Sequence, residues 1–341
     1  MRRILVMGVG AIGNTLMQAP MLQRLSEAWP DAEIRFGFKA DRGGRAVAEQ
    51  FLGGRRAYVF SWSSGLAKGL GEVWAAALWR PQLILSPFLT AGRAVDIVAA
   101  LSGARVIRHD QKSGLGHVAL AANRHEVLSY LDLVTSATGR PVPPPPFAAL
   151  PALTPPTETE GGVQVIALQP LSSADQAWKR WPAENWRTLT AALLAGGRRV
   201  LAFGSADEKD ALAAMFADLP AVEIVCAPFA EATQRLGLCQ GAICNDSALA
   251  HLAAALCVPV VTLFGPTDEQ RTRPWTNLQA VASTTHSCRP CYRLDENGRT
   301  SDAPQLCTDR ICLSGLTPAL IISLLDDLLK PPPQAAHTDT A

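Results

Sequence analysis

The residues best suited to chemistry lie between Ala242 and Asp268, which read A-I-C-N-D-S-A-L-A-H-L-A-A-A-L-C-V-P-V-V-T-L-F-G-P-T-D. Ala242 to Cys244 is a short apolar run that ends a buried strand. Asn245-Asp246-Ser247 is a turn and helix-start signal, because these side chains accept hydrogen bonds from the free N–H groups of a first helical turn. Such a helix start carries unpaired amides and about half a positive charge, so it suits a phosphate. Ser247 adds a hydroxyl donor. His251 lies four residues on and can face the same ligand. A plainer reading stands beside this one: Asp246 and Ser247 only cap the helix, and His251 is a partly buried helix residue.

Three other stretches carry chemistry-bearing residues. Trp178-Lys179-Arg180-Trp181-Pro182 precedes a helix, and a lysine there can reach a phosphate held at Ser247. Two tryptophans anchoring a loop with solvated basic neighbours is the alternative. Gly8-x-Gly10-x-x-Gly13 follows a strand and precedes a helix, as in a dinucleotide fingerprint. The fingerprint also wants an acid at the end of the second strand. Here that strand ends Phe36-Gly37-Phe38-Lys39 and Asp41 follows too late, so a nicotinamide or flavin enzyme is the weakest reading.

The eight cysteines fall into two groups. Cys226, Cys239, Cys244 and Cys257 lie in apolar patterns and read as small core residues. Cys288, Cys291, Cys307 and Cys312 lie in a polar segment, as C-x2-C and C-x4-C. That spacing is close to that of a structural zinc site. Free thiols and disulfides are the other readings.

The elements that position these residues alternate strand and helix. The central stretch is a strand–helix–strand unit, with Pro259 as helix stop and Val260 to Phe264 as the second strand. Ligands of such parallel sheets sit at the carboxyl ends of the strands, where Asn245–Ser247 and Gly265–Asp268 both fall. Upstream, Arg3 to Met7 is a first strand and Asn14 to Trp29 a helix that Pro20 should kink or restrict to two pieces. Further strand and helix signals alternate as far as a helix at Glu126 to Thr138. A proline-rich segment follows, and from Val163 the alternation restarts and runs to a closing helix at Thr317 to Leu329. The reading is α/β, with two Rossmann-like domains facing a central cleft. The expected units are 1–150, a semi-rigid linker at 151–162, 163–330, and a disordered tail at 331–341.

Composition narrows the class. Hydrophobic residues make up 48% and charged residues 18% of the 341, and the formal net charge is +1. That is a globular balance with no bulk charge for nucleic acid. No apolar run is long enough to span a membrane, and the early glycines argue against a signal peptide, so a cytoplasmic protein is expected.

Taken together, N-D-S-x-x-x-H-L-A-A-A-L-x-V-P-V-V-T-L-F-G-P-T-D, W-K-R-W-P-A-E-N-W and the N-terminal G-x-I-G-N-x-L-x-x-x-P-x-L resemble glycosyltransferase family 9, the lipopolysaccharide heptosyltransferases and their relatives. The resemblance covers nearly the whole chain. It implies the GT-B fold and an inverting, metal-independent transfer of heptose from an ADP-heptose donor to a glycan or glycolipid acceptor. It carries the role of gripping the donor diphosphate to Lys179, Asp246 and Ser247. Ser172 and Ser173 match a donor-contacting turn less closely, and His251 matches a family histidine. A lipid-linked acceptor would place the enzyme peripherally at the inner membrane. The resemblance also echoes an iron-binding set of four cysteines.

Two departures stand out. Gly13-Asn14 replaces the family's Gly-Asp, whose aspartate deprotonates the acceptor, and an amide does not accept a proton near neutral pH. Ala248 stands where the donor-binding turn has glycine. Asp41, His109 or Asp110 could substitute as the base. Otherwise the chain is a catalytically weak member that binds nucleotide sugar or glycan. Gly43-Gly44-Arg45, Arg55-Arg56, Lys112 and Arg124 are scattered basic residues, read as acceptor-phosphate contacts or as ordinary surface.

Overall fold

The computed structural model describes residues 1–50, 53, 56–61, 66–87, 92–109, 116–121, 123–145, 162–293, 301 and 303–330. The proline linker expected at 151–162 lies outside these residues except for Gly162, and the tail at 331–341 lies wholly outside them. Arg55, Asp110 and Lys112 are outside them too.

The first half runs β1 (Arg3–Gly8), α1 (Ile12–Leu16), α2 (Ala19–Ala28), β2 (Glu33–Phe38), α3 (Gly44–Gln50), β3 (Ala57–Val59), α4 (Leu66–Leu78), β4 (Leu83–Ser86), α5 (Arg93–Ser102), β5 (Arg105–His109), β6 (His117–Val118) and α6 (Glu126–Thr138). The second runs β7 (Val165–Gln169), α7 (Ala183–Ala195), β8 (Arg199–Phe203), α8 (Lys209–Met215), β9 (Val222–Val225), α9 (Phe229–Gly237), β10 (Gly241–Asn245), α10 (Ala248–Ala255), β11 (Val260–Phe264), α11 (Glu269–Thr272), β12 (Gln279–Ser283), α12 (Ala303–Leu306), α13 (Ile311–Ser314) and α14 (Pro318–Leu329). Pro20 does split the first helix, and it sits in the opening turn of α2, where its missing N–H costs nothing. The first piece begins at Ile12, so Asn14 lies inside α1 rather than at its start.

Each half is a fully parallel six-stranded sheet. The first is ordered β3-β2-β1-β4-β5-β6 and the second β12-β11-β10-β7-β8-β9. The two orders are the same Rossmann order, since β7 stands in the second sheet as β1 does in the first. Both faces of such a sheet are covered, so its central strands are continuous apolar runs. β10 and β11 are buried at every position. Each sheet reverses its order between β1 and β4, and between β7 and β10. Crevices open there at the carboxyl ends of the strands.

The halves share a seam. Leu16 of α1 and Val47 of α3 belong to the apolar cluster of Leu249, Leu252 and Ala253 on α10. Trp275, from beyond α11, packs in return on the core behind β1. The fold is therefore two Rossmann-like domains closed along one edge, with the switch points of both sheets facing one cavity.

Candidate functional site

The cavity between the domains has a volume of about 920 Å³. Its walls come from the ends of the four switch-point strands: Val9 after β1, Pro87 after β4, Gln169 at the end of β7, and Asp246 after β10. Lys179, Ser172, Ser173, Ser247, Ala248 and His251 also line it, as does Asn14 from across the cleft. The residues singled out from sequence at the donor side thus meet in one place.

Lys179 ends a 3-10 turn over Ala174–Lys179. Its Nζ lies 2.9 Å from Asp246 Oδ2, with the two side chains 14% and 7% exposed. Buried Asn245 fixes the approach. Its Oδ1 accepts from the Trp181 N–H at 3.1 Å and its Nδ2 donates to the Pro170 carbonyl at 2.8 Å. One amide therefore ties the lysine segment, the end of β7 and the end of β10 together. Trp178 beneath Lys179 packs on Tyr292 with ring centroids 4.9 Å apart, and Lys179 Nζ stands 5.5 Å from the Trp178 ring centroid.

Ser247 precedes α10 as its N-cap, but its hydroxyl does not cap the helix. It donates instead to Gln169 Oε1, which also accepts from the Leu249 N–H at 3.1 Å. The donors expected to face a ligand are thus held by an amide oxygen from β7. Ser172 is buried and donates to the Gln176 carbonyl at 2.9 Å, whereas Ser173 is exposed at the start of the 3-10 turn. Ala248 opens α10 at the cavity wall. His251 is buried, and burial holds its pKa down at about 4, with Lys179 lowering it further and Asp246 opposing. The imidazole is neutral at ordinary pH. It sits against α1, where a Cβ on Gly13 would come within 2.8 Å of its Cδ2.

The glycine motif is occupied by the fold itself. Gly10 has φ +85, and a Cβ there would overlap the Ala40 carbonyl oxygen at 1.6 Å. Gly13 lets the two domains approach. These glycines serve chain crossing and the seam, and the dinucleotide reading has no support from them.

On the opposite wall, Asn14 Nδ2 donates to Glu126 Oε2 at 3.2 Å. Glu126 begins α6 and is buried, accepts from the Tyr130 hydroxyl at 3.1 Å, and lies 3.7 Å from Arg271 of α11. Burial pushes its carboxyl up, against Arg271, Tyr130 and Asn14, while Asp246 adds to the rise. Sequence reasoning missed this residue. Two of the substitutes named for the base, Asp41 and His109, are placed elsewhere. Asp41 accepts from the Gly43 and Arg45 N–H groups at the start of α3, and His109 is buried at the end of β5. Neither lines the cavity. The scattered cations pair locally, Arg45 with Glu49 and Arg124 with Asp132.

The cysteine segment is anchored by Arg289, which donates to the Gly265 carbonyl at 2.6 Å, to the Thr284 carbonyl at 2.7 Å and to Glu269 at 2.9 Å. Burial pushes the Cys312 thiol up, and Cys288, Cys291 and Cys307 add to the rise. They do not converge on an ion: among the described residues no three His, Cys, Asp or Glu side chains are grouped to hold one. All eight cysteines are free thiols.

Comparison with known proteins agrees with this architecture. The lipooligosaccharide heptosyltransferase 2 of Haemophilus influenzae is 24% identical over 305 residues, 82% of this chain and 87% of that protein. The lipopolysaccharide heptosyltransferase 1 of Pseudomonas aeruginosa is 28% identical over 163 residues, a match spanning 45% of each chain and so about half the length of that relative. The solved structure of the ADP-heptose lipopolysaccharide heptosyltransferase II of Escherichia coli superposes with a TM-score of 0.70 at 20% identity, covering 96% of this chain and 98% of that one. The family model for glycosyltransferase family 9 (heptosyltransferase) matches residues 68–299, and the chain belongs to that family.

Proposed function

We propose that the protein transfers a heptose, or a similar sugar, from an ADP-activated donor to a lipopolysaccharide core or other glycan, with inversion at the anomeric carbon. The observation that carries this reading is the Lys179–Asp246 pair beside the start of α10, at the switch point of the second sheet and across the cavity from Asn14 and Glu126. A diphosphate leaving group gains negative charge as the glycosidic bond breaks. Fixed donors can meet that charge without a divalent metal. Lys179, the Ser247 hydroxyl and the first amides of α10 take that role, with Asp246 holding the lysine in place. Ser172, Ser173, Ala248 and His251 shape the donor wall. An acceptor entering from the first domain attacks the anomeric carbon from the face opposite the diphosphate.

Thermal-shift titration with ADP, UDP, GDP and NAD tests the donor assignment, and ADP should raise the melting temperature most. A larger shift with NAD, or none with any nucleotide, rejects it. Transfer to a deacylated core acceptor then separates an enzyme from the alternative that Asn14 favours, a catalytically weak member that binds without efficient transfer.

Three finer elements go with the reading. The unit boundaries are 1–150 and 163–330 about the proline segment. The working location is cytoplasmic, with peripheral contact at the inner membrane. No helix among the described residues is long and apolar enough to cross a membrane, and the exposed Leu70, Trp74 and Leu78 of α4 with Leu101 of α5 support the contact. A structural zinc or iron at Cys288, Cys291, Cys307 and Cys312 is supported by spacing and opposed by the present placement of the thiols. Elemental analysis of protein purified without chelator decides it, and less than about a tenth of an equivalent sinks it.

A further inference from the structure

The family's proton acceptor is replaced by Asn14, yet a carboxylate stands beside that amide. Among the described residues Glu126 is the single carboxylate that the first domain contributes to the cavity wall. Its two oxygens are used differently. Oε2 accepts from Asn14 Nδ2 at 3.2 Å and from the Tyr130 hydroxyl at 3.1 Å. Oε1 has the Arg271 guanidinium at 3.7 Å, which is charge contact without a short hydrogen bond. One oxygen is therefore pinned and the other is open to a proton.

We propose that Glu126 is the general base of the transfer, and that Asn14 orients it from the position where the family carries its aspartate. This rests on the transferase reading above. The acceptor O–H bond breaks and its proton goes to Glu126 Oε1. The oxygen's electron pair forms the new bond to the anomeric carbon. The anomeric C–O bond to the diphosphate breaks, and its pair leaves on the nucleoside diphosphate. Protonated Glu126 returns its proton to solvent when product departs.

The surroundings suit a proton acceptor. A carboxylate buried this far is a stronger base than one in water, because burial favours its neutral form. The groups facing it are Arg271 from α11, Tyr130 from its own helix, Asn14 from α1, and Asp246 from beyond β10, the last of which adds to the rise. Arg271 keeps the charged form accessible before the reaction. Its attraction is also what an incoming proton must overcome, so the pair balances the base between two states. A base at Glu126 supplies the proton acceptor that the amide at position 14 cannot be.

Glu126 also bridges the domains through Arg271, so the test must separate a base from a strut. Glu126→Gln keeps the shape and removes the proton acceptor. It should lower kcat about 10²- to 10³-fold, abolish the acidic limb of the pH profile of kcat/KM, and leave ADP affinity within about threefold. Adding Asn14→Asp to that variant returns a carboxylate to the neighbouring position and should recover at least tenfold of kcat. A strut would not be rescued this way. If Glu126→Gln fails to fold, Glu126→Asp retracts the acceptor by one methylene and should lower kcat while keeping the acidic limb. Glu126→Gln retaining more than a third of kcat overturns the proposal, as does a double variant that recovers nothing. A wild-type protein that binds ADP and never turns over also overturns it. A wild-type protein that binds no ADP rejects the transferase reading instead.

Discussion

Lys179 and Asp246, from segments on either side of the buried Asn245 amide, form an ion pair of 2.9 Å whose side chains are 14% and 7% exposed. Removing one member leaves the other charge largely desolvated, and this is where buried pairs are costly. Lys179→Ala should lower stability by about 1–3 kcal/mol, less than a fully buried pair because the start of α10 partly compensates Asp246. ADP affinity should fall at least tenfold. Lys179→Arg should recover stability better than affinity, since a planar fork does not replace a point charge. Calorimetric titration of ADP beside a thermal melt separates the two, and an unchanged ADP affinity in Lys179→Ala would remove the lysine from the donor site.

Gln169 Oε1 accepts from the Ser247 hydroxyl and the Leu249 N–H, the donors that a phosphate at this helix start would use. A diphosphate must either displace that amide or bind beside it. Gln169→Glu fixes an anion at the helix start, so ADP should weaken by tenfold or more. Gln169→Ala exposes the donors, and ADP should hold or tighten. Parallel titrations check both, and equal affinities in the two variants would show that phosphate never reaches α10.

Much of the fold is legible in the sequence because parallel central strands are plain apolar runs: Val260 to Phe264 reads as a buried strand and is one. Pro20 announces the break between α1 and α2 for a local reason. The short helix α3 escapes because its buried face is little more than Val47 and Ala48, and α11 is a single turn capped by Asp268. Residues lining the cavity are legible where a motif carries them, as with Lys179 and Asp246. Glu126 is not. An acid in the first turn of a helix is ordinary N-terminal chemistry, and its meaning comes from Asn14 on α1 and Arg271 in the other domain. Gln169 was hidden in the same way, a polar residue ending a buried strand whose partners lie across β10.

Acid should unfold the protein through two of its buried histidines, His251 and His125. Burial holds both His251 and His125 down at about 4, against about 6.5 in the unfolded chain. Between those values the unfolded state binds more protons, so stability is fully present above pH 6.5 and is lost as pH falls toward 4. Each histidine should cost about 2 kcal/mol by pH 5. Glu126, with its carboxyl raised, works in the opposite sense and offsets part of the loss at the acid end. Urea melts at pH 7.5 and pH 5 in wild type and in His251→Gln provide the measurement. An identical pH slope in the two proteins would mean that His251 is not held neutral.

The first domain presents an apolar stripe at helical spacing: Leu70, Trp74 and Leu78 on α4 are 49%, 57% and 65% exposed, beside Ile97 and Leu101 on α5. Lys68, Arg80 and Arg93 around it are exposed and carry no ion pair among the described residues. An apolar face with a basic rim fits an anionic bilayer. Trp74→Glu with Leu78→Glu should lower co-sedimentation with phosphatidylglycerol vesicles at least tenfold and leave ADP binding unchanged. Failure of the wild-type protein to sediment, or a dimer that the same variant breaks, would assign the stripe to something other than a membrane.

Gly13 sets how closely the domains can meet. Its φ is not in the left-handed region, so alanine there brings no backbone penalty, and the conflict is steric: a Cβ would stand 2.8 Å from His251 Cδ2. The ring is buried on α10 and has little room to retreat, so α1 must shift along the seam that Leu16 shares with Leu249 and Leu252. Overpacking of this kind costs about 1–3 kcal/mol, and here the displaced helix also carries Asn14. Gly13→Ala should therefore lose stability and transfer activity together. Pairing it with His251→Ala removes the clash, so the double variant should lose clearly less than the sum of the singles. A strictly additive double-mutant cycle, in melts and in turnover, would show that the two residues do not touch and that the seam is set elsewhere.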